Sequence, residues 1–343
     1  MRLIDRYIPV LKGFPSLFSY TLLLSIGFGA FVTWDQWYWW GRREDYSFGY
    51  LVPIFVAVVV WDRWPRILSL FGMGSSSTKS VEEGKGTLLS FDWAVSKLYP
   101  AMKWVIPIGF YGGLILGLAI FGLGAFYRAG AGPSNPGSLF IAVGAGMVVF
   151  ALIYINLPDS TDSWKEQIGE SLLPQAVMNR RLSITLLFWF PCFIWIISAP
   201  LVSFIENALS LFLLNKVMTV VFFVFEMGGY ALEQEGNTLI LPTGRVGVED
   251  ACSGIRSLMG CLFAGTFLGA IFFKSTIKKI LLVAFAMGFA VITNLLRSIF
   301  LTAWAYTHGP DAISGFVHDA AGYFVLGLTS VMLLVMIPIM NIE

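Results

Sequence analysis

The chain has 343 residues, of which 57% are hydrophobic and 13% charged, with a formal net charge of +1 and a mean hydropathy of +0.76. That composition excludes a soluble globular domain, and basic residues confined to short clusters between apolar runs exclude a nucleic-acid-binding stripe. Three cysteines (Cys192, Cys252, Cys261) and two histidines (His308, His318) supply neither a disulfide framework nor a metal cluster, so no metal or cofactor is expected.

A helix crossing the hydrocarbon core needs roughly 20 mostly apolar residues. Such runs lie near 15–34, 48–61, 104–127, 138–157, 183–204, 255–273, 280–298 and 319–340. They predict an all-α polytopic membrane protein of eight spans in a single domain over 1–343. The first run is as long as a span and lacks a small-residue cleavage pattern, so it is expected to stay as an anchor.

Arg2, Arg6 and Lys12 place the N-terminus in the cytoplasm by the positive-inside bias, and the loop Arg42–Ser47 then falls outside. Residues 62–103, with a Gly/Ser-rich centre at 72–77 between clustered basic residues, read as a flexible cytoplasmic loop. Lys165, Arg180 and Arg181 mark a second cytoplasmic return. Lys274, Lys278 and Lys279 mark a third, and the last span brings the C-terminus back to the cytoplasm.

Under that topology the segment 205–254 begins and ends outside. The run 205–228 carries Glu206, Asn215, Lys216 and Glu226, so it is expected to be an interfacial or re-entrant helix rather than a crossing one. Residues 236–248 alternate and are punctuated by Gly and Asn, which predicts a small extracytoplasmic hairpin.

The chemistry gathers at one membrane face. Glu249-Asp250-Ala251-Cys252-Ser253-Gly254-Ile255-Arg256-Ser257 is a polar, small-residue stretch directly before a span, with a thiol at its centre. Cys252 lies 22 residues before Lys274, about 33 Å of helix and so about one bilayer core. Arg297 is expected at the outer end of the seventh span and His318 at the outer start of the eighth.

A thiolate nucleophile needs a neighbouring imidazole or guanidinium to lower its pKa, and arginine donors can hold an oxyanion. Cys252, His318 and Arg297 supply those parts for acyl transfer. Arg256, one helical turn after Cys252, is a supporting candidate, as are Glu249, Asn294 and Asp319. His308 is the rival base, in the turn-rich stretch Tyr306-Thr307-His308-Gly309-Pro310, where it also reads as a solvated loop residue. Cys192 and Cys261, inside apolar runs, read as buried small residues.

Three blocks resemble the exosortase/archaeosortase family of membrane cysteine transpeptidases: Val248-Glu249-Asp250-Ala251-Cys252-Ser253-Gly254-Ile255-Arg256-Ser257-Leu258, Asn294-Leu295-Leu296-Arg297 and His318-Asp319-Ala320-Ala321-Gly322. The stretches 236–242 and Asp45-Tyr46-Ser47-Phe48-Gly49-Tyr50-Leu51-Val52-Pro53 also look like family blocks. In the latter, many members have a histidine where this chain has Phe48. Residues 62–100 and 158–182 are the least similar.

The resemblance implies Cys252 as nucleophile, Arg297 as transition-state stabiliser and His318 as acid/base. It implies, as substrates, exported proteins with a C-terminal sorting tag of a short motif, a membrane helix and a basic end, of the kind called PEP-CTERM. These would be cleaved at the extracytoplasmic face of a bacterial inner membrane and passed to an acceptor, an exopolysaccharide or a lipid. Two other readings stay open at this point: a purely hydrolytic membrane protease, and a transporter or assembly subunit for exported polysaccharide. Transport predicts charges near the bilayer midplane, whereas the polar groups here gather at span ends.

Overall fold

The computed structural model describes residues 15–70, 78–157, 173–236, 238–247 and 254–342. The chain divides into two compact units, Met1–Tyr38 with Tyr50–Ala199, and Trp39–Gly49 with Pro200–Glu343.

The first unit contains most of α1 (Ser16–Trp40), then α2 (Val52–Leu70), α3 (Thr78–Ala131), α4 (Asn135–Ile155), α5 (Leu173–Leu187) and α6 (Trp189–Ser198). Between membrane helices apolar attraction gives little advantage over lipid, so close backbone approach through small residues decides the packing. Helices α3 and α4 meet in this way. A Cβ on Gly117 would sit 2.8 Å from the Cβ of Met147, one on Gly124 would sit 2.8 Å from the Ile141 nitrogen, and Gly144 faces the Phe121 backbone. The core is Phe18, Ile67, Ile153, Ile184 and Phe188. Two buried polar side chains find partners across helices: Arg128 Nε donates to fully buried Asp35 at 2.7 Å, and Gln36 Nε2 donates to the Trp195 carbonyl at 3.0 Å.

Helix also occupies much of 62–103, where the sequence suggests a loop. Helix α2 runs on to Leu70 and α3 starts at Thr78. Residues 71–77 lie outside the described residues.

The second unit holds a 3-10 helix (Glu44–Leu51, through Gly49), α7 (Ser203–Met227), three strands β1 (Glu233–Glu235), β2 (Thr238–Leu241) and β3 (Gly244–Gly247), α8 (Ile255–Phe272), α9 (Thr276–His308), a second 3-10 helix (Pro310–Ile313) and α10 (Phe316–Asn341). The strands form an antiparallel meander in the order β1-β2-β3, with Glu233 opposite Ile240 and Leu239 opposite Val246. The expected hairpin therefore has a third strand. Its inward residues Leu239, Leu241 and Val246 pack on Leu214, Val217, Met218, Val221 and Phe225 of α7 and on Ala305 of α9. Helices α8, α9 and α10 share a second core of Leu258, Cys261, Leu282, Ala286, Ala290, Leu333 and Ile337.

Among the described residues eight helices are long and apolar enough to cross a bilayer, the number expected, and the protein is a multi-pass membrane protein. Their membership differs at one place. Helix α2 contains Asp62, Arg63, Arg66 and Pro65 and is not among them, whereas the run containing Glu206 and Lys216 is one unbroken 25-residue helix, α7, which is. It is unbroken, as an interfacial helix is, and lacks the break of a re-entrant one.

One short segment ties the starts of α7 and α8. Arg43 pairs with Glu206 through both guanidinium nitrogens and with Asp45 at 3.3 Å. The Tyr46 hydroxyl accepts the Leu201 N–H at 2.9 Å, and Arg256 reaches Glu44 at 2.6 Å and Asp45 at 3.3 Å. Hydrogen bonding to Glu206 raises the Arg43 pKa further, and burial pushes the Tyr46 phenol up to about 12. Residues 203–254 thus begin and end against the same segment, 43–46.

Candidate active site

Helix α9 carries Asn294 and Arg297 on successive turns, and α10 carries His318 in its first turn. The two helices are pinned by a hydrogen bond of 2.9 Å between the Thr293 and Thr329 hydroxyls. Arg297 Nη2 lies 2.8 Å from His318 Nε2. A guanidinium only donates, so in this contact Nε2 is the acceptor and the ring proton sits on Nδ1. That nitrogen is 3.6 Å from Asp319 Oδ1. The Asp319 carboxylate thus stands beside the ring nitrogen that Arg297 does not touch. Gly322, one turn further along α10, faces the guanidinium: a Cβ there would lie 3.9 Å from Arg297 Nη2, an ordinary contact.

Asn294 is 2% exposed and packs against Gly254, which caps α8 in the left-handed region at φ 76°. A Cβ on Gly254 would fall 2.6 Å from Asn294 Nδ2. Gly254 follows Cys252 by two residues. Cys252 and Glu249 themselves, in 248–253, lie outside the described residues. The structure therefore brings Arg297, His318, Asp319 and Asn294 together and sets the residue that ends the cysteine stretch against Asn294.

Arg256 stands elsewhere: its guanidinium is taken by Glu44 and Asp45. His308 ends α9, eleven residues after Arg297, about 16 Å along the helix. Its Nδ1 is 2.6 Å from the Thr307 hydroxyl and its ring stacks on Trp304 at 4.3 Å, so it does not join the Arg297 pair. Phe48 stacks on Phe263 of α8 at 4.9 Å, a packing role for that position here. Cys192 and Cys261 are both 5% exposed.

Arg297 does not lie at the end of its helix. Helix α9 continues to His308, because Leu295, Ile299, Ala305 and Tyr306 pack with the sheet and α7. Sequence inspection also missed the Arg43–Glu206 pair. Its one signal was an acidic residue, Glu206, at the start of an apolar run.

A family model described as transmembrane exosortase (Exosortase_EpsH) matches residues 39–335. No curated protein and no solved structure gives a match.

Proposed function

Because the chain belongs to the transmembrane exosortase family, we propose that it is a membrane cysteine transpeptidase that removes the C-terminal sorting tag of exported proteins. The observation that carries this reading is the 2.8 Å contact between Arg297 Nη2 and His318 Nε2, made by two residues that 21 positions of chain separate.

With substrate bound, Arg297 turns from His318 Nε2 to the carbonyl oxygen; His318 Nε2 then takes the proton of the Cys252 thiol, and the thiolate attacks the carbonyl carbon of the scissile peptide. Arg297 stabilises the oxyanion of the tetrahedral intermediate. As the C–N bond breaks, His318 returns the proton to the leaving amine, and the exported protein is left as a thioester on Cys252. An acceptor hydroxyl or amine then gives its proton to His318 and attacks the thioester; the C–S bond breaks, and the leaving Cys252 thiolate takes that proton back from His318. The acceptor is an exopolysaccharide or a lipid headgroup. Asp319 orients the imidazole.

We place the enzyme in a bacterial inner membrane, with both termini cytoplasmic and the site extracytoplasmic. This is supported by Lys274, Lys278 and Lys279 at the ends of α8 and α9 opposite Gly254 and Arg297. The test is co-expression with a reporter carrying such a tag. Tag loss that stops in Cys252→Ala and Cys252→Ser, with a hydroxylamine-labile adduct in the wild type alone, is expected. Unchanged processing in both variants overturns the reading. The mass of the released protein separates transfer to an acceptor from hydrolysis.

A further inference from the structure

Within the second unit a shallow groove of about 90 Å³ opens among α7, α8 and α9. Val217, Val220, Leu258 and Val291 wall it, with Gly254 and Asn294 also in its lining. It opens sideways, since Val220 is 39% and Val291 42% exposed. Lys216 lies in the same lining, its Nζ 5.7 Å from the Phe212 ring. We propose that this groove receives the apolar residues at the start of the substrate's membrane segment, and that Lys216 pairs with an acidic side chain immediately before them. The inference rests on the proposed function and names how that site selects its substrate.

Position comes first. Gly254 and Asn294 form the groove's end beside the cysteine stretch, and Arg297 lies one turn beyond Asn294. A peptide held for attack by Cys252 therefore has its neighbouring residues at the mouth of this groove. Chemistry comes second. The wall is apolar on three helices and exposed at its rim, so an apolar side chain entering it gains burial against all three.

Charge decides the remaining feature. Lys216 sits midway along a 25-residue apolar helix, where an ammonium is costly and marks a functional contact. Among the described residues no carboxylate pairs with it. An anionic group on the occupant completes it. A lipid phosphate has the same charge, but the groove's continuity with Gly254 favours the peptide.

The test uses three reporters whose tags place Glu, Gln or Lys directly before the same apolar helix, processed in cells by wild type, Lys216→Gln and Lys216→Glu. Wild type is expected to favour the Glu tag over the Lys tag by about tenfold, the worth of one partly desolvated ion pair. Lys216→Glu reverses that order and Lys216→Gln flattens it. The same order in all three enzymes overturns the proposal.

A second readout uses a benzophenone-bearing residue in place of Val220, in the Cys252→Ser background. Crosslinking to the tag is expected, and crosslinking to lipid alone overturns the proposal. If wild type processes no reporter, or processing survives Cys252→Ala, the proposed function falls, and the crosslink still decides whether the tag occupies the groove.

Discussion

Gly254 and Asn294 are in contact so close that a single added methyl group on the glycine would overlap the asparagine amide, at 2.6 Å. Gly254 also holds φ 76°, which a side chain adopts at a cost of about 1 kcal/mol or more. Gly254→Ala is therefore expected to lower the detergent-solubilised Tm by several degrees and to cut processing at least tenfold, by about 1–3 kcal/mol of overpacking in addition. Adding Asn294→Ala should return part of the Tm, since it relieves the clash and leaves the backbone strain. A thermal melt of the two variants checks this.

Arg297→Lys keeps a positive charge and loses the guanidinium fork that reaches His318. Reporter processing should fall by about 10²–10³, the usual loss for one oxyanion donor. His318→Ala should fall by roughly 10²–10⁴, whereas His308→Ala should leave the rate unchanged. A time course of tag loss with these three variants separates the two histidines.

Breaking the Arg43–Glu206 pair leaves one charge half-buried. Arg43→Ala and Glu206→Ala are each expected to destabilise by roughly 1–3 kcal/mol, and the double variant by less than the sum. A double-mutant cycle on chemical denaturation measures the coupling. Arg256→Ala, which exposes only partly shielded carboxylates, should cost less than 1 kcal/mol or so.

The raised pKa of Tyr46 means that folding favours the neutral phenol. Its contribution is fully present below the ordinary value of 10 and is lost as pH rises from there to about 12. Tyr46→Phe should remove that segment of the stability profile, and should also lose the hydrogen bond to Leu201, about 1 kcal/mol at neutral pH. Melts from pH 8 upward test both parts.

Spacing and residue type led to the Arg297–His318 pair, because both residues stand against the apolar periodicity of their spans and each belongs to a polar block. They also led to the helical architecture and the number of long apolar runs. What they missed was decided by contacts distant in sequence. The four-residue offset suggested that Arg256 serves Cys252, but carboxylates some 211 positions earlier claim it.

The polar residues of α7 suggested an interfacial segment. In the fold that segment is one unbroken helix, with Glu206 neutralised by Arg43 at its start. Helix α9 outlasts its predicted span. Ser298 and Thr307 donate to their own helix at Asn294 and Ala303, which hides the polarity that in a sequence marks an end.

The tie between residues 43–46 and the starts of α7 and α8 also imposes an order on biosynthesis. Arg43 leaves the ribosome 163 residues before Glu206, a wait of roughly 8–33 s at about 5–20 residues per second. During that interval the whole remainder of the first unit is made and inserted while Arg43, Glu44 and Asp45 stand solvated by headgroups and water. The second unit is thus a late closure onto an early clasp. Insertion factors or lipids that shield those three charges in the meantime would act on the yield of folded enzyme without touching its catalytic groups.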